Sequence, residues 1–211
     1  MLVRRLRGTV PALLLAIAAP AGAQIVTNGG FEDPVASTAI TPTFVVPGWT
    51  ASSGNFEIIT TGLWQPHSGS QSIDLNGTSV GTIFQDLATA VGSTYQLSFW
   101  YAGNPGTTND KTFNVLWGGN TVDAFTFVQA GNTTSNMGWT NYVSGPLAAT
   151  SATTRLTFQS TTTGTPVSGS ALDDVSVTLL QSSTVPEPST YALFATGLLG
   201  LAGVARRRSR R

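Results

Sequence analysis

The segment YQLSFWY, Tyr95–Tyr101, alternates its side chains with a period of two. In an extended chain successive side chains point to opposite faces, so one face of this segment carries large, mostly apolar groups. That face holds Tyr95, Leu97, Phe99 and Tyr101, and the other holds Gln96, Ser98 and Trp100. Such alternation predicts a β-strand with one face in a hydrophobic core. Trp100 is expected on the less buried face.

Eight further short segments between Gln24 and Thr184 have the composition of strands, and none shows a convincing helical period. They are separated by clusters of Gly, Asn, Ser and Pro that favour turns, including the predicted loops 131–137 and 161–170. This pattern predicts an all-β fold, a single antiparallel sandwich of two sheets, and nine strands suit a jelly roll. The predicted strands are Asn55–Ile59, Gln71–Leu75, Gly81–Leu87, Tyr95–Tyr101, Thr112–Trp117, Ala124–Gln129, Trp139–Ser144, Arg155–Gln159 and Asp173–Leu180.

Residues 24–184 make up the predicted β-sandwich domain, whose 161 residues suit one domain with a substantial core. The domain holds two basic residues, Lys111 and Arg155, against nine acidic residues, which gives it a formal charge of −7. Such an acidic domain is not expected to bind nucleic acid or anionic lipid. Because the chain has no cysteine, disulfides and thiolate metal sites are excluded.

The N-terminal segment, residues 1–23, carries three arginines among its first seven residues, followed by an apolar run and the A-x-A sequence Ala21–Ala23. This order is typical of a secretory signal peptide. The apolar run is too short for a transmembrane helix. We therefore expect a signal helix that signal peptidase removes before Gln24, with export of the remaining chain across the inner membrane.

The C-terminal segment, residues 185–211, begins with Val185–Pro188 (VPEP), continues with the uncharged run Tyr191–Ala205 and ends in five arginines. As a helix, the apolar run would measure about 22 Å. A hydrocarbon layer is ~30 Å thick, but Ser189, Thr190 and snorkelling arginines would extend the reach of the helix. Hydropathy and charge alone predict a transmembrane helix with a cytoplasmic C-terminus, as in an ordinary tail anchor.

This segment resembles a PEP-CTERM sorting signal in the order, spacing and terminal position of its parts. The resemblance implies that a membrane protease, an exosortase, recognises the Pro-Glu-Pro region and removes the helix, so that the inner membrane holds the chain only transiently. The product would then reach the cell surface or an extracellular matrix rich in exopolysaccharide. The residues assigned to the signal are Pro186, Glu187, Pro188, Arg206, Arg207 and Arg208.

A second resemblance extends over most of the predicted domain. The strings that carry it are Asn28–Glu32 (NGGFE), Pro47–Trp49, Trp64, Ser72–Gly77, Gln85–Leu87, Phe99–Pro105, Gly138–Trp139 and Ala171–Val177. Together they resemble the choice-of-anchor C family, relatives of plant cell-wall proteins. This resemblance implies a galactose-binding-like jelly roll and an association with polysaccharide.

Three acids, Glu32 near the start of the domain and Asp173 and Asp174 near its end, are a candidate metal site. The terminal strands of a jelly roll commonly lie close together, and the parity of Asp173 with Val175 and Val177 points its carboxylate inward. An unpaired buried carboxylate is costly. Oxygen ligands favour Ca²⁺, and similar strings in carbohydrate-binding jelly rolls accompany a structural calcium. The alternative is that Glu32 shapes a turn and Asp173 accepts backbone hydrogen bonds.

Aromatic side chains are the candidate saccharide contacts, since sugar C–H faces stack on rings while polar groups bind the hydroxyls. Trp64 and Gln65, in a loop, and Trp100 and Tyr101, on a strand, are assigned to carbohydrate binding. The remaining tryptophans are expected in the core: Trp49, Trp117 and Trp139.

The sequence gives little support for catalysis. His67 is the only histidine, which argues against a zinc centre, and no Gly-x-Ser-x-Gly sequence accompanies it. A glycosidase pair among the carboxylates stays open, because sequence does not give their separation. We therefore expect a non-catalytic exported protein that binds polysaccharide. The alternatives are a structural matrix protein without a saccharide site and a carbohydrate-active hydrolase.

Overall fold

The computed structural model of the protein describes residues 22, 24–183 and 188–209. The predicted signal helix within residues 1–23 lies outside the described residues, except for Gly22. The same is true of Pro186 and Glu187 in the sorting signal.

The described chain forms thirteen strands and one C-terminal helix. In chain order these are β1 Ile40–Thr43, β2 Val45–Val46, β3 Trp49–Ser53, β4 Phe56–Thr60, β5 Gln71–Asp74, β6 Thr82–Ala88, β7 Thr94–Gly103, β8 Lys111–Trp117, β9 Asn120–Phe127, β10 Thr140–Val143, β11 Leu147–Ala148, β12 Thr153–Ser160, β13 Ser170–Gln181 and α1 Pro188–Arg208.

The strands form two antiparallel sheets. The first sheet has the order β1-β4-β5-β13-β7-β10, and β11 also pairs with β7. The second sheet has the order β2-β3-β6-β12-β8-β9. Because many neighbours in each sheet are distant in sequence, the connections cross between the sheets, as expected for a jelly roll. The all-β sandwich prediction is confirmed.

The main core lies between the two sheets and is built by the predicted alternation. Tyr95, Leu97 and Phe99 of β7 are at most 4% exposed, while Trp100, on the opposite face, is only half buried. Phe113, Val115 and Trp117 of β8 face them from the second sheet. The core assignments of Trp49 and Trp117 are confirmed, with 0% and 6% exposure.

All nine predicted strands are present, with shifts of a few residues at their ends, but β1, β2, β3 and β11 were not predicted. These four are short, from two to five residues, and three of them lie at or beside sheet edges. Short edge strands bury little surface, so their sequences carry no clear alternation.

A second core covers the outer face of the first sheet. Its members on strands of the first sheet, Ile59, Ala102 and Ala171, have the parity opposite to that of main-core residues, so they point away from the second sheet: Ala171, for example, precedes Leu172 of the main core. The segment 61–70, between β4 and β5, folds over this face and inserts Trp64. The members of the second core are Ile59, Trp64, Ala102, Phe127, Met137 and Ala171.

Both ends of the domain meet at β13. Gln24 forms an antiparallel bridge with Thr178, and its side-chain amide donates to the Val175 carbonyl oxygen at 3.2 Å. The start of the domain therefore lies along its last strand, which ends at Gln181; beyond it, the Ser183 N–H still donates to the Ser93 hydroxyl at 2.9 Å.

The C-terminal helix α1, Pro188–Arg208, is present where an apolar helix was predicted, with Arg206, Arg207 and Arg208 in its last turn. In the described part of the chain, no helix combines the length and the hydropathy needed to cross a membrane. The transmembrane assignment of this segment is therefore not confirmed. The physical reason is its fifteen-residue apolar run, which Thr196 and three glycines make less apolar.

Candidate functional site

Trp64 anchors the loop 61–70 on the outer face of the first sheet and is itself almost inaccessible. It is 1% exposed, and its indole Nε1 donates to the Ser72 hydroxyl at 2.8 Å. The prediction that Trp64 is an exposed sugar platform is therefore wrong. Trp64 does lie in a loop, as predicted. This loop, however, is anchored by an apolar side chain of its own, which the position of a residue in a loop does not reveal.

Three rings gather where this loop meets β7 and the segment before β10. His67 stacks on Trp100, with ring centroids 3.8 Å apart and planes inclined by 14°. Trp139 meets His67 edge-on, at 6.2 Å and 73°. All three residues are half buried, so each presents part of its surface to solvent. We call His67, Trp100 and Trp139 the ring cluster.

Trp139 reaches this cluster because its indole Nε1 donates to the Gln65 carbonyl oxygen at 3.0 Å. Gln65 is exposed, and its backbone N–H donates to the Thr134 carbonyl oxygen at 2.8 Å. The two loops, 61–70 and 128–139, are thereby joined across the sheet. The prediction that Trp139 lies in the core is corrected: it packs only partly on the second core.

Asp174 fixes the orientation of His67. The His67 Nδ1 donates to Asp174 Oδ2 at 2.6 Å, and the Ser68 hydroxyl donates to Asp174 Oδ1 at 2.7 Å. Asp174 has a positive φ of 50° at the point where the register of β13 against β7 shifts. This irregularity turns its carboxylate towards the loop and leaves it 31% exposed.

Asp173 lies beneath the loop and is 0% exposed. Its Oδ2 accepts from the backbone N–H groups of His67, at 3.0 Å, and Ser68, at 3.2 Å, and its Oδ1 accepts from the Asp174 N–H at 2.7 Å. Burial raises the pKa of Asp173 to about 8, and the charge of Asp174 adds to this, against the lowering effect of the N–H donors. Asp173 thus accepts backbone hydrogen bonds, as the alternative interpretation expected.

Glu32 holds the other end of the same loop. Its Oε1 accepts from the backbone N–H groups of Ser70, at 2.7 Å, and Gln71, at 2.9 Å. A side chain at Gly69, whose φ is 58°, would collide with this carboxylate. The loop therefore needs glycine there, both for its conformation and for the close approach of Glu32.

The three predicted metal ligands do lie near one another, around Gly30. A Cβ atom at Gly30 would lie 3.5 Å from Asp174 Oδ1, 3.9 Å from Glu32 Cγ and 4.0 Å from Asp173 Oδ1. Their carboxylates are nevertheless engaged by hydrogen-bond donors. Within the described ranges, no group of three or more His, Cys, Asp or Glu side chains is arranged to hold a metal ion. As they stand, these residues do not form a metal-ligand set.

Tyr101 lies on the other face of β7, away from the ring cluster. Its ring packs between the sheets, 5.6 Å from Phe113 and 5.3 Å from Phe125. Burial raises the pKa of its hydroxyl, and Asp123 contributes. Of the four predicted saccharide contacts, the structure places Trp100 and Gln65 at the ring cluster, Trp64 beneath it and Tyr101 on the opposite face.

A second buried carboxylate, Asp74, lies at the end of β5 and is 0% exposed. It accepts from the backbone N–H groups of Asn76, at 2.8 Å, and Gly169, at 2.9 Å, and from the Asn104 amide at 2.7 Å. Burial raises the pKa of Asp74 to about 7, and the charge of Glu57 raises it further, against the lowering effect of these donors.

Comparison with known proteins first identifies the fold. An arabinose-bound α-L-arabinofuranosidase structure superposes with a TM-score of 0.51 at 11% identity, over 75% of this chain and 27% of that chain. The tandem CBM22 domains of Xyn10C from Paenibacillus barcinonensis superpose with a TM-score of 0.51 at 19% identity, over 82% and 49%. At such low identity the likeness shows the β-sandwich fold alone, which confirms the jelly-roll prediction.

One curated relative also matches. Halomucin from Haloquadratum walsbyi is 33% identical over 89 residues, which represent 38% of this chain and 1% of Halomucin. The chain thus spans about 1% of the length of this relative.

Two family models match the chain. Residues 184–211 match the PEP-CTERM protein-sorting motif, which confirms the sorting signal recognised in the sequence. That motif implies export, with anchoring or processing at the C-terminal end. Residues 24–178, which include the whole ring cluster, match the model described as "Protein of unknown function (DUF642)". The chain therefore belongs to the DUF642 family and carries a PEP-CTERM sorting motif.

Proposed function

We propose that the sandwich is a non-catalytic domain that binds polysaccharide through the ring cluster on the outer face of its first sheet. The observation that carries this proposal is the half-buried group of His67, Trp100 and Trp139 beside the partly exposed carboxylate of Asp174. Rings that are held in place but keep solvent contact offer apolar surface to sugar C–H groups at little entropic cost.

Polar groups accompany the rings in the same loop and on β13. Asp174 accepts hydrogen bonds, Ser68 carries a hydroxyl, and the exposed Gln65 side chain offers both donor and acceptor atoms. Apolar surface with a few convergent polar groups is the usual composition of a small-molecule site.

Hydrolysis is less well supported than binding. The hydrogen bonds of the described residues include none between a serine or threonine hydroxyl and the His67 ring, which a nucleophile–base pair requires. Ser68 instead donates to the same carboxylate as His67. Asp173 is fully buried under the loop, so it is not available to a substrate.

The destination of the domain forms part of this proposal. The PEP-CTERM motif supports export across the inner membrane, recognition by an exosortase and release or transfer to a polysaccharide-rich surface matrix. A polysaccharide-binding domain delivered there would hold the protein within the matrix. Residues 24–183 give no basic surface for nucleic acid, since Lys111 is 0% exposed and Arg155 is paired with Asp86.

Replacing Trp100 by alanine is expected to abolish retardation of the protein in gels that contain the bound polysaccharide. The change removes the ring that stacks on His67 and lowers affinity by about fivefold or more, since ring contacts contribute roughly 1 kcal/mol or more each. Affinity electrophoresis over a panel of neutral matrix glycans measures this.

Phe84→Ala is the matched control for this experiment. Phe84 is also a half-buried ring, but it lies on the second sheet beneath Arg155. Its loss should leave retardation unchanged. A domain that no matrix polysaccharide retards would support the structural alternative, and cleavage of a polysaccharide, lost on changing one carboxylate, would support the hydrolase.

We also propose that Ca²⁺ binds at Glu32, Asp173 and Asp174. The support is their convergence around Gly30 and the high pKa of Asp173, which a cation would lower. Binding would require the carboxylates to exchange some of their N–H donors for the ion. Oxygen ligands of this kind suit Ca²⁺, whose stabilising effect would be structural.

If this calcium site exists, a saturating concentration of EDTA should lower the melting temperature of the domain, because the ion binds only the folded state. The measurement is a thermal melt with EDTA, repeated after excess Ca²⁺ is restored. A melting temperature that changes with neither addition would contradict the calcium proposal.

A further inference from the structure

We infer that the ring cluster selects polysaccharides that carry protonated amines, such as polymers of amino sugars with free amino groups. The inference rests on the proposed function and names its substrate class. It follows from the charges that surround the rings rather than from the rings alone.

The surroundings of the ring cluster are negative. Asp174 contacts His67 and is 31% exposed, and Glu32 closes the same loop. The exposed part of the Asp174 carboxylate lies beside the rings, so a cation that docks at the rim of the cluster would be attracted to it.

Within residues 24–183, neither Lys111 nor Arg155 is placed to do this, and the basic group that contacts Asp174 is His67, a member of the ring cluster. Lys111 is 0% exposed, and its ammonium donates to the Thr107 hydroxyl at 2.7 Å and to backbone carbonyl oxygens. Arg155 lies on the second sheet and is held by both carboxylate oxygens of Asp86, at 2.7 and 2.8 Å. Apart from His67 itself, the ring cluster therefore has carboxylates beside it but no exposed lysine or arginine of residues 24–183.

The rings add a second reason to prefer a cation. An ammonium near the face of a tryptophan is attracted by the negative face of the ring, and this attraction adds to that of a nearby carboxylate. The same surface disfavours uronic acids and sulfated sugars, since like charges brought together cost affinity. Neutral sugars would bind through stacking alone, so their affinity would lie between that of amino sugars and that of uronic or sulfated sugars.

The test compares three oligosaccharides of matched length on the full-length protein, by calorimetry at neutral pH with EDTA present. They are glucosamine, N-acetylglucosamine and galacturonate oligomers. We expect the glucosamine oligomer to bind about tenfold more tightly than the N-acetylated one, and galacturonate more weakly than both. Added salt should reduce the difference in affinity between the glucosamine and N-acetylglucosamine oligomers, because it screens the attraction between ammonium groups and carboxylates.

Asp174→Asn is the diagnostic variant. Asparagine tolerates a positive φ and keeps hydrogen-bonding atoms towards His67 and Ser68, so mainly the charge is lost. The ratio of the glucosamine to the N-acetylglucosamine affinity should fall close to one. Asp86→Asn removes the same charge from the second sheet and should leave the ratio unchanged.

The outcomes separate this inference from the proposed function. Equal affinity for the charged and the neutral oligomer overturns the amine preference and leaves polysaccharide binding in place. Binding to neither oligomer overturns both. Competition by poly-lysine as strong as that by the glucosamine oligomer shows that charge alone is bound, and it overturns the inference as well.

Discussion

Replacing Trp64 by alanine is expected to lower the free energy of unfolding by about 3–5 kcal/mol, the usual cost of deleting a buried tryptophan. Trp64 is 1% exposed and fills the second core, so the variant leaves a cavity between the loop 61–70 and the sheet. It also leaves the Ser72 hydroxyl without its indole donor. Urea denaturation followed by far-UV circular dichroism measures the loss.

Leu63→Ala provides the matched control for Trp64→Ala. Leu63 is the preceding residue of the same loop but is 36% exposed, so its truncation should cost much less. If Trp64→Ala were no more destabilising than Leu63→Ala, the second core would not anchor the loop. Polysaccharide binding should also weaken in Trp64→Ala, because the loop carries His67.

The stability of the domain is expected to fall by several kcal/mol as the pH rises from about 4 to about 8. The pKa values of Asp74, about 7, and Asp173, about 8, lie above the ordinary value of 3.8 that applies in the unfolded chain. Between these limits the folded state binds more protons than the unfolded state, so each unit of pH costs up to about 1.4 kcal/mol per group. Below about pH 4 both carboxyls are protonated in the folded and in the unfolded state, and the stability that depends on their protonation is fully present.

Urea denaturation at a series of pH values tests this slope. Asp173→Asn and Asp74→Asn should each flatten it, because each removes one titrating group, whereas Asp33→Asn, at an exposed position, should not. Stability that is constant or rises over this interval would contradict the prediction. Saturating Ca²⁺ should reduce the contribution of Asp173 if the calcium proposal holds, since the ion favours the charged form.

The fold was predictable because the sequence pattern that determines it lies within short segments. Alternation within segments such as Tyr95–Tyr101 records which face of a strand is buried, and burial of one face is what builds a sandwich. The core position of Trp117 follows from the same alternation, whereas Trp49 was assigned to the core because large aromatics dominate sandwich interiors; both assignments are confirmed. The short strands β1, β2 and β11 owe their pairing to neighbours in the sheet, so their own sequences reveal little.

The candidate site was only half predictable because it joins residues that are distant in sequence. Trp100 and Asp174 were named from the sequence for separate roles, and the contact of both with His67 was not foreseen. The signal available in the sequence was that His67 is its only histidine and follows Gln65 and Pro66. What places it on Trp100 is the burial of Trp64 three residues earlier, which loop position did not indicate.

The direction of β13 determines how the domain is presented once its C-terminal tail is held at a surface. The ring cluster lies beside Asp174, near the start of this strand, whereas the strand ends at Gln181. Seven residues of extended chain separate the two points by roughly 23 Å. A domain held through the residues that follow β13 would therefore present its rings at the opposite end of this strand, towards the polymers of the proposed function.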